Sequence, residues 1–142
     1  MPWVRTPALH VAAPPEAVWD VLADFARWGE WAERFPRMRG EAVPGARLVL
    51  TARLPKLPPS TLPARVVDAE RGRRLSWRGG VPGVFGAHHG FDLEPDGAGT
   101  RVEHWERFDG LLGRALVAAL GRDIELAYTE LNVALARRVE GA

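Results

Sequence analysis

The residues from Leu9 to Trp31, LHVAAPPEAVWDVLADFARWGEW, constrain the fold more than any other stretch of this chain. A short alternating strand runs into Ala13-Pro14-Pro15-Glu16, and a helix bearing large apolar side chains starts at once. Proline suits the first turn of a helix, because its missing N–H would have no partner there anyway. Glu16 follows in the same turn, where a carboxylate favours the positive end of the helix dipole. Val18, Trp19, Val21, Leu22 and Phe25 then form one wide apolar face. Such a face has to be covered, so this helix must pack against another layer.

The rest of the chain reads as several strands followed by one long helix. Phe25 to Arg34 suggests a second short helix, broken near Gly29. Arg47 to Leu54 alternates, with Leu48, Leu50, Ala52 and Leu54 on one face. Pro55 to Pro63 has many prolines and no periodicity, which predicts a stiff loop. Further strands are expected at about Ala64–Ala69, Arg73–Gly79, Val84–Glu94 and Thr100–Phe108. Asp96-Gly97-Ala98-Gly99 is a hairpin turn between the last two. In the final helix, which Asp109 can cap, Leu112, Leu116, Leu120, Ile124, Ala127, Leu131 and Leu135 recur every three or four residues. Gly113 and Gly121 in that helix suggest a close approach or a bend, or simply tolerance.

The strand faces carry the chemistry. In the last strand Val102, His104, Glu106 and Phe108 share one face, and Arg101, Glu103, Trp105 and Arg107 share the other. Its partner places Phe85, Ala87, His89, Phe91 and Leu93 opposite His88, Gly90, Asp92 and Glu94. An antiparallel sheet covered on one side by a helix has this apolar and wet division. His89, His104 and Glu106 therefore point toward the covered side, where ionisable groups are rare unless partnered. Pairing across the Asp96–Gly99 turn sets His89 opposite Glu106, and the two side chains are expected to touch. Trp105 is expected to face water.

With the opening segment, several motifs give the chain a family likeness: the strand ending in Trp77, the Gly83-Val84-Phe85-Gly86 link, and Gly99-Thr100-Arg101-Val102-Glu103-His104 through Glu106, Phe108 and Gly110. These resemble the START-like superfamily (SRPBCC), which includes polyketide cyclases, aromatase/cyclases, lipid-transfer domains and plant pollen allergens. The resemblance is to the polyketide cyclase/dehydrase branch and covers nearly the whole chain. It implies an α+β helix-grip fold: a seven-stranded antiparallel sheet wrapped around a long C-terminal helix, with two short N-terminal helices. A ligand cavity lies between sheet and helix in such folds. Trp28 and Trp31 stand where relatives carry aromatics after the first helix. The fold alone supplies no reaction.

Residues 1–142 are thus expected to form one such domain, long enough to bury roughly 70% of the unfolded surface. The expected function is binding of a small hydrophobic or aromatic ligand, of lipid, polyketide or isoprenoid-like type. Its pocket would be lined by Leu50, Trp77, Phe85, Phe91, Phe108, Leu116 and Leu120, with polar recognition from His89, His104 and Glu106. A cyclase or dehydratase remains an alternative, with a histidine near neutral pKa oriented by Glu106. A protein-interaction or chaperone-like module is the third reading, and the polar trio could equally be a structural hydrogen-bond network. The Pro55–Pro63 and Gly79–Gly86 segments are expected to flank the pocket mouth.

Composition limits the alternatives. The net charge of +1 offers no field for nucleic acid. With no cysteine, disulfides and thiolate chemistry are excluded. No metal site is expected either, because His88 and His89 are adjacent in a strand and point to opposite faces. Ser60 and Ser76 lack a nucleophile-elbow motif, and the Gly79–Gly83 run opens no helix that would cradle phosphate. No cofactor is called for. The apolar runs fall short of a membrane span and no signal-peptide pattern opens the chain, so a cytoplasmic protein is expected. Self-association as a homodimer stays open.

Overall fold

A computed structural model describes residues 2–141. The elements run β1 (Trp3–Arg5), β2 (Leu9–Val11), α1 (Pro15–Ala23), a 3-10 helix (Phe25–Glu30), β3 (Arg37–Gly40), β4 (Arg47–Ala52), β5 (Ser60–Glu70), β6 (Arg74–Val81), β7 (Phe85–Asp96), β8 (Gly99–Asp109) and α2 (Gly110–Val139). All strand pairs are antiparallel, in the order β1-β8-β7-β6-β5-β4-β3. β1 pairs with Trp105–Arg107 and β2 with Thr100–Val102, so both lie along the same edge of β8. The eight strands therefore occupy seven lanes, and α2 packs against β1, β8 and β7 in this helix-grip fold.

Local chemistry explains the opening. Pro14 is the N-cap of α1 and Pro15 starts its first turn. Val18 and Leu22 are buried, and the 3-10 helix then drives Phe25 and Trp28 into the core. The Trp28 indole N–H donates to the Leu22 carbonyl at 2.8 Å, satisfying its one polar atom in the dry interior. Its ring meets Phe25, Phe35, Trp77 and Phe91 at centroid distances of 5.8–6.4 Å, mostly edge to face. Gly29 is required here, because a Cβ would sit 2.6 Å from the Pro36 carbonyl oxygen.

Several sequence expectations change. The proline segment is shorter than expected, because β5 begins at Ser60. Pro63 is tolerated in it because pairing to β6 starts only at Arg65, past the residue that cannot donate. The glycine-rich run is not a free loop. Gly79, Gly80 and Val81 pair with Ala87, Gly86 and Phe85, leaving only Pro82–Val84 as the turn. Asp109 precedes α2 but makes no capping hydrogen bond; its carboxylate accepts from Arg107 instead. Leu112 does not belong to the buried stripe of α2, being 58% exposed. Gly113 takes the inward position, where a Cβ would lie 3.3 Å from that of Phe108. Below it Ile124, Ala127, Tyr128, Leu131, Asn132 and Leu135 are buried.

Trp105 also departs from expectation. It lies on the outer face but is only 7% exposed. Its ring covers Gly90, packs edge-on against Trp3 and His88, and carries the Arg74 guanidinium 5.0 Å from its centroid. The short strand β1, unforeseen from the sequence, brings Trp3 over it.

Candidate functional site

Between the concave face of the sheet and α2 lies a cavity of about 470 Å³. Leu50, Ala52, Trp77, Phe85, Ala87 and Phe108 from the strands line it, with Phe35 and Leu116 closing the sides. Leu57, Pro58, Leu62 and Pro63 line it as well, as do Gly79, Gly80 and Val81 of the neighbouring strand. The two segments lie side by side, with a Gly79 Cβ position 2.7 Å from the Pro63 carbonyl oxygen. The wall holds no arginine or lysine, and its titratable groups are His89, Glu106 and Tyr128.

Of the residues read as pocket wall from the sequence, Leu50, Trp77, Phe85, His89, Glu106, Phe108 and Leu116 line the cavity, whereas Phe91, His104 and Leu120 do not. Phe91 and His104 are sealed behind the wall, at 0% and 1% exposure, because Trp28 and α2 cover that end of the sheet. Leu120 packs partly buried against the core. Phe35 and Tyr128 were missed. Phe35 sits in an aperiodic link that carries no pattern. Tyr128 lies one residue from the apolar stripe and four before Asn132, a spacing that puts both polar tips on one helix face.

The register sets His89 opposite Glu106, as the hairpin turn implied. Their hydrogen bonds nevertheless lead elsewhere. His89 Nε2 meets His104 Nε2 at 2.5 Å, with ring planes 3° apart and centroids 4.8 Å apart, so the two imidazoles join edge to edge in one plane. His104 Nδ1 lies 2.8 Å from Asn132 Oδ1. The Tyr128 hydroxyl donates to Glu106 Oε1, and its ring lies over both histidines at 4.6–4.9 Å. α2 therefore supplies the partners that the sequence reading assigned to the sheet residues themselves.

Electrostatics follow from burial. Removing a charge from water favours the neutral form. Burial pushes the Glu106 carboxyl up to about 7, a rise that the Tyr128 hydrogen bond partly offsets. Burial holds His104 down to about 3, against the opposing pull of its Asn132 hydrogen bond. His89 is held well below the ordinary histidine value by burial, then by the neighbouring His104 and His88. Burial and the adjacent Glu106 raise the Tyr128 phenol well above its usual range. The group poised near neutrality is the carboxyl and not a histidine, the reverse of the sequence expectation.

A second hollow, of about 480 Å³, lies on the outer face beside Trp3, Arg5, His88 and Trp105. Its charges are largely paired internally: Arg74 bonds Asp68 at 2.9 Å and reaches Asp92 at 3.3 Å, and Arg107 reaches Asp109 at 3.3 Å. The concave side is the one with an apolar wall and convergent polar groups, the usual make-up of a small-molecule site. Among the described residues, no helix is long and apolar enough to cross a membrane.

Comparison with known proteins agrees with this architecture. The fold matches TTHA0849 of Thermus thermophilus at a TM-score of 0.77, with 19% identity over 98% of this chain and 97% of that one. It matches the Zhui aromatase/cyclase of a Streptomyces species at 0.76, with 18% identity over 97% and 93%. The hypothetical protein jhp0584 of Helicobacter pylori matches at 0.79, with 15% identity over 96% and 87%. At these identities the likeness is one of fold. No curated protein matches the chain. The family profile described as polyketide cyclase / dehydrase and lipid transport matches residues 6–140, and the chain belongs to that family.

Proposed function

We propose that the protein binds a small, neutral, hydrophobic or aromatic molecule in the concave cavity and holds it without chemical change. One observation carries this reading: an apolar cavity of about 470 Å³ whose ionisable groups are His89, Glu106 and Tyr128. Apolar area removed from water supplies roughly 25 cal/mol per Å², enough for useful affinity without any charged contact. The wall offers no serine placed beside a base, since the Ser60 hydroxyl donates to the Pro58 carbonyl. Membership of a family that includes lipid transport fits this carrier reading.

The alternative reading, proton-transfer catalysis, draws on one feature. A general acid or base works best with a pKa near the working pH, and Glu106 is pushed up to about 7. In that case the carboxyl would move the proton, and the histidines would only hold the site in shape.

Titration with neutral N-phenyl-1-naphthylamine tests the carrier reading, because the probe brightens in apolar surroundings. Saturation at one equivalent, lost in Ala52→Phe, which fills the wall while leaving the fold, is the expected result. No saturable binding, or equal binding by the filled variant, would overturn it. Turnover of a carbonyl compound that falls by about 10²–10⁴-fold in Glu106→Gln would favour the enzyme.

A further inference from the structure

The hydrogen bonds behind the cavity have a direction that can be read outward from the backbone. The His104 carbonyl can only accept, so the Thr6 hydroxyl donates to it at 3.3 Å. Thr6 Oγ1 is then the acceptor for Asn132 Nδ2 at 2.9 Å. This fixes the Asn132 amide, whose Oδ1 faces His104 and accepts its Nδ1–H. A neutral His104 with its proton on Nδ1 has a bare Nε2. The hydrogen on the short contact therefore belongs to His89 Nε2, and His89 is left with a bare Nδ1. Neither His89 Nδ1 nor Glu106 Oε2 has a hydrogen-bond partner among the described residues. Among the described residues only Arg107 Nε is both sealed and unpartnered, so neither of these atoms is sealed, and both side chains line the cavity.

We propose that His89 Nδ1 and Glu106 Oε2 form a cradle for one neutral hydroxyl group of the ligand, and that the site rejects carboxylates. A hydroxyl both donates and accepts: it can donate to His89 Nδ1 while accepting from the protonated Oε2 of Glu106. Tyr128 does not compete, because its own proton is committed to Oε1. A carboxylate would face a bare nitrogen and a carboxyl group with no arginine or lysine in the wall to balance it. An ether would leave His89 Nδ1 unsatisfied, and an orphaned buried acceptor is costly. Burial, which holds both histidines neutral and keeps Glu106 largely protonated below pH 7, acts in the same direction. The proposal rests on the concave cavity being the ligand site.

Competition against N-phenyl-1-naphthylamine at pH 6.5 tests it, using 2-naphthol, 2-methoxynaphthalene and 2-naphthoate on the unmodified protein. Area burial alone would favour the ether, which carries an extra methyl group. The cradle predicts the opposite order, with 2-naphthol stronger by roughly tenfold and 2-naphthoate failing to compete. Glu106→Leu should abolish that preference while still taking up the ether. Equal binding of naphthol and ether, or competition by naphthoate, would overturn the hydroxyl proposal and leave the carrier reading standing. Absence of saturable binding by N-phenyl-1-naphthylamine itself would overturn the carrier reading and this proposal with it.

Discussion

Glu106→Gln offers a quantitative handle on the buried polar end, because its effect on stability should change with pH in a defined way. The carboxyl titrates near its ordinary 4.5 in the unfolded chain and at about 7 in the fold. A raised acid pKa means the folded state favours the protonated form. The stabilising contribution of that form is fully present below pH 4.5 and is lost as pH rises through 7. Ionising the buried group costs about 3 kcal/mol across this window. Glutamine keeps the shape and can still accept from Tyr128, but it cannot ionise. The variant should therefore match the wild type near pH 4.5 and exceed it by about 3 kcal/mol above pH 8. For a chain of this length that is roughly 8–12 °C in Tm. The histidine contributions, which lower stability as pH falls below 6.5, are common to both proteins and cancel in the difference. Urea or thermal unfolding at half-unit pH steps would measure it. A difference that stays flat with pH, or a variant less stable than wild type at pH 8, would refute the claim that Glu106 is buried without a compensating cation.

Three further outcomes follow from packing. Gly90→Ala places a Cβ 2.3 Å from the Trp105 ring, so it should cost about 2–3 kcal/mol by overpacking, read from chemical denaturation. Trp28→Ala removes a fully buried indole and orphans the Leu22 carbonyl, which should cost about 3–5 kcal/mol and lower the unfolding midpoint accordingly. In hydrogen exchange, the β6–β7 hairpin end around Val81 and Val84, at 60% and 48% exposure, should exchange faster than Leu75 and Phe91 in the same strands.

Alternation and turn chemistry made most of the fold legible. The DGAG turn and the period-two pattern of β7 and β8 gave the register that places His89 opposite Glu106. Two of the short edge strands were not legible, because Trp3–Arg5 and Arg37–Gly40 are too brief to show alternation. Strand parity gives the face of Trp105 but does not tell that β1 folds over it. The candidate site was half readable. The inward polar residues follow from parity on the strands, whereas Tyr128 and Asn132 are polar members of a helix face identified by its leucines. The orientation of the Asn132 amide depends on Thr6, which is distant in sequence and adjacent only in the fold.

A crystal structure of the protein with N-phenyl-1-naphthylamine would test the central claim most directly. The account predicts the probe between Trp77, Phe108 and Tyr128 in the concave cavity, with its amine toward His89. Density for the probe only in the outer hollow beside Trp3 and Trp105, with the concave cavity closed by collapsed side chains, would contradict it.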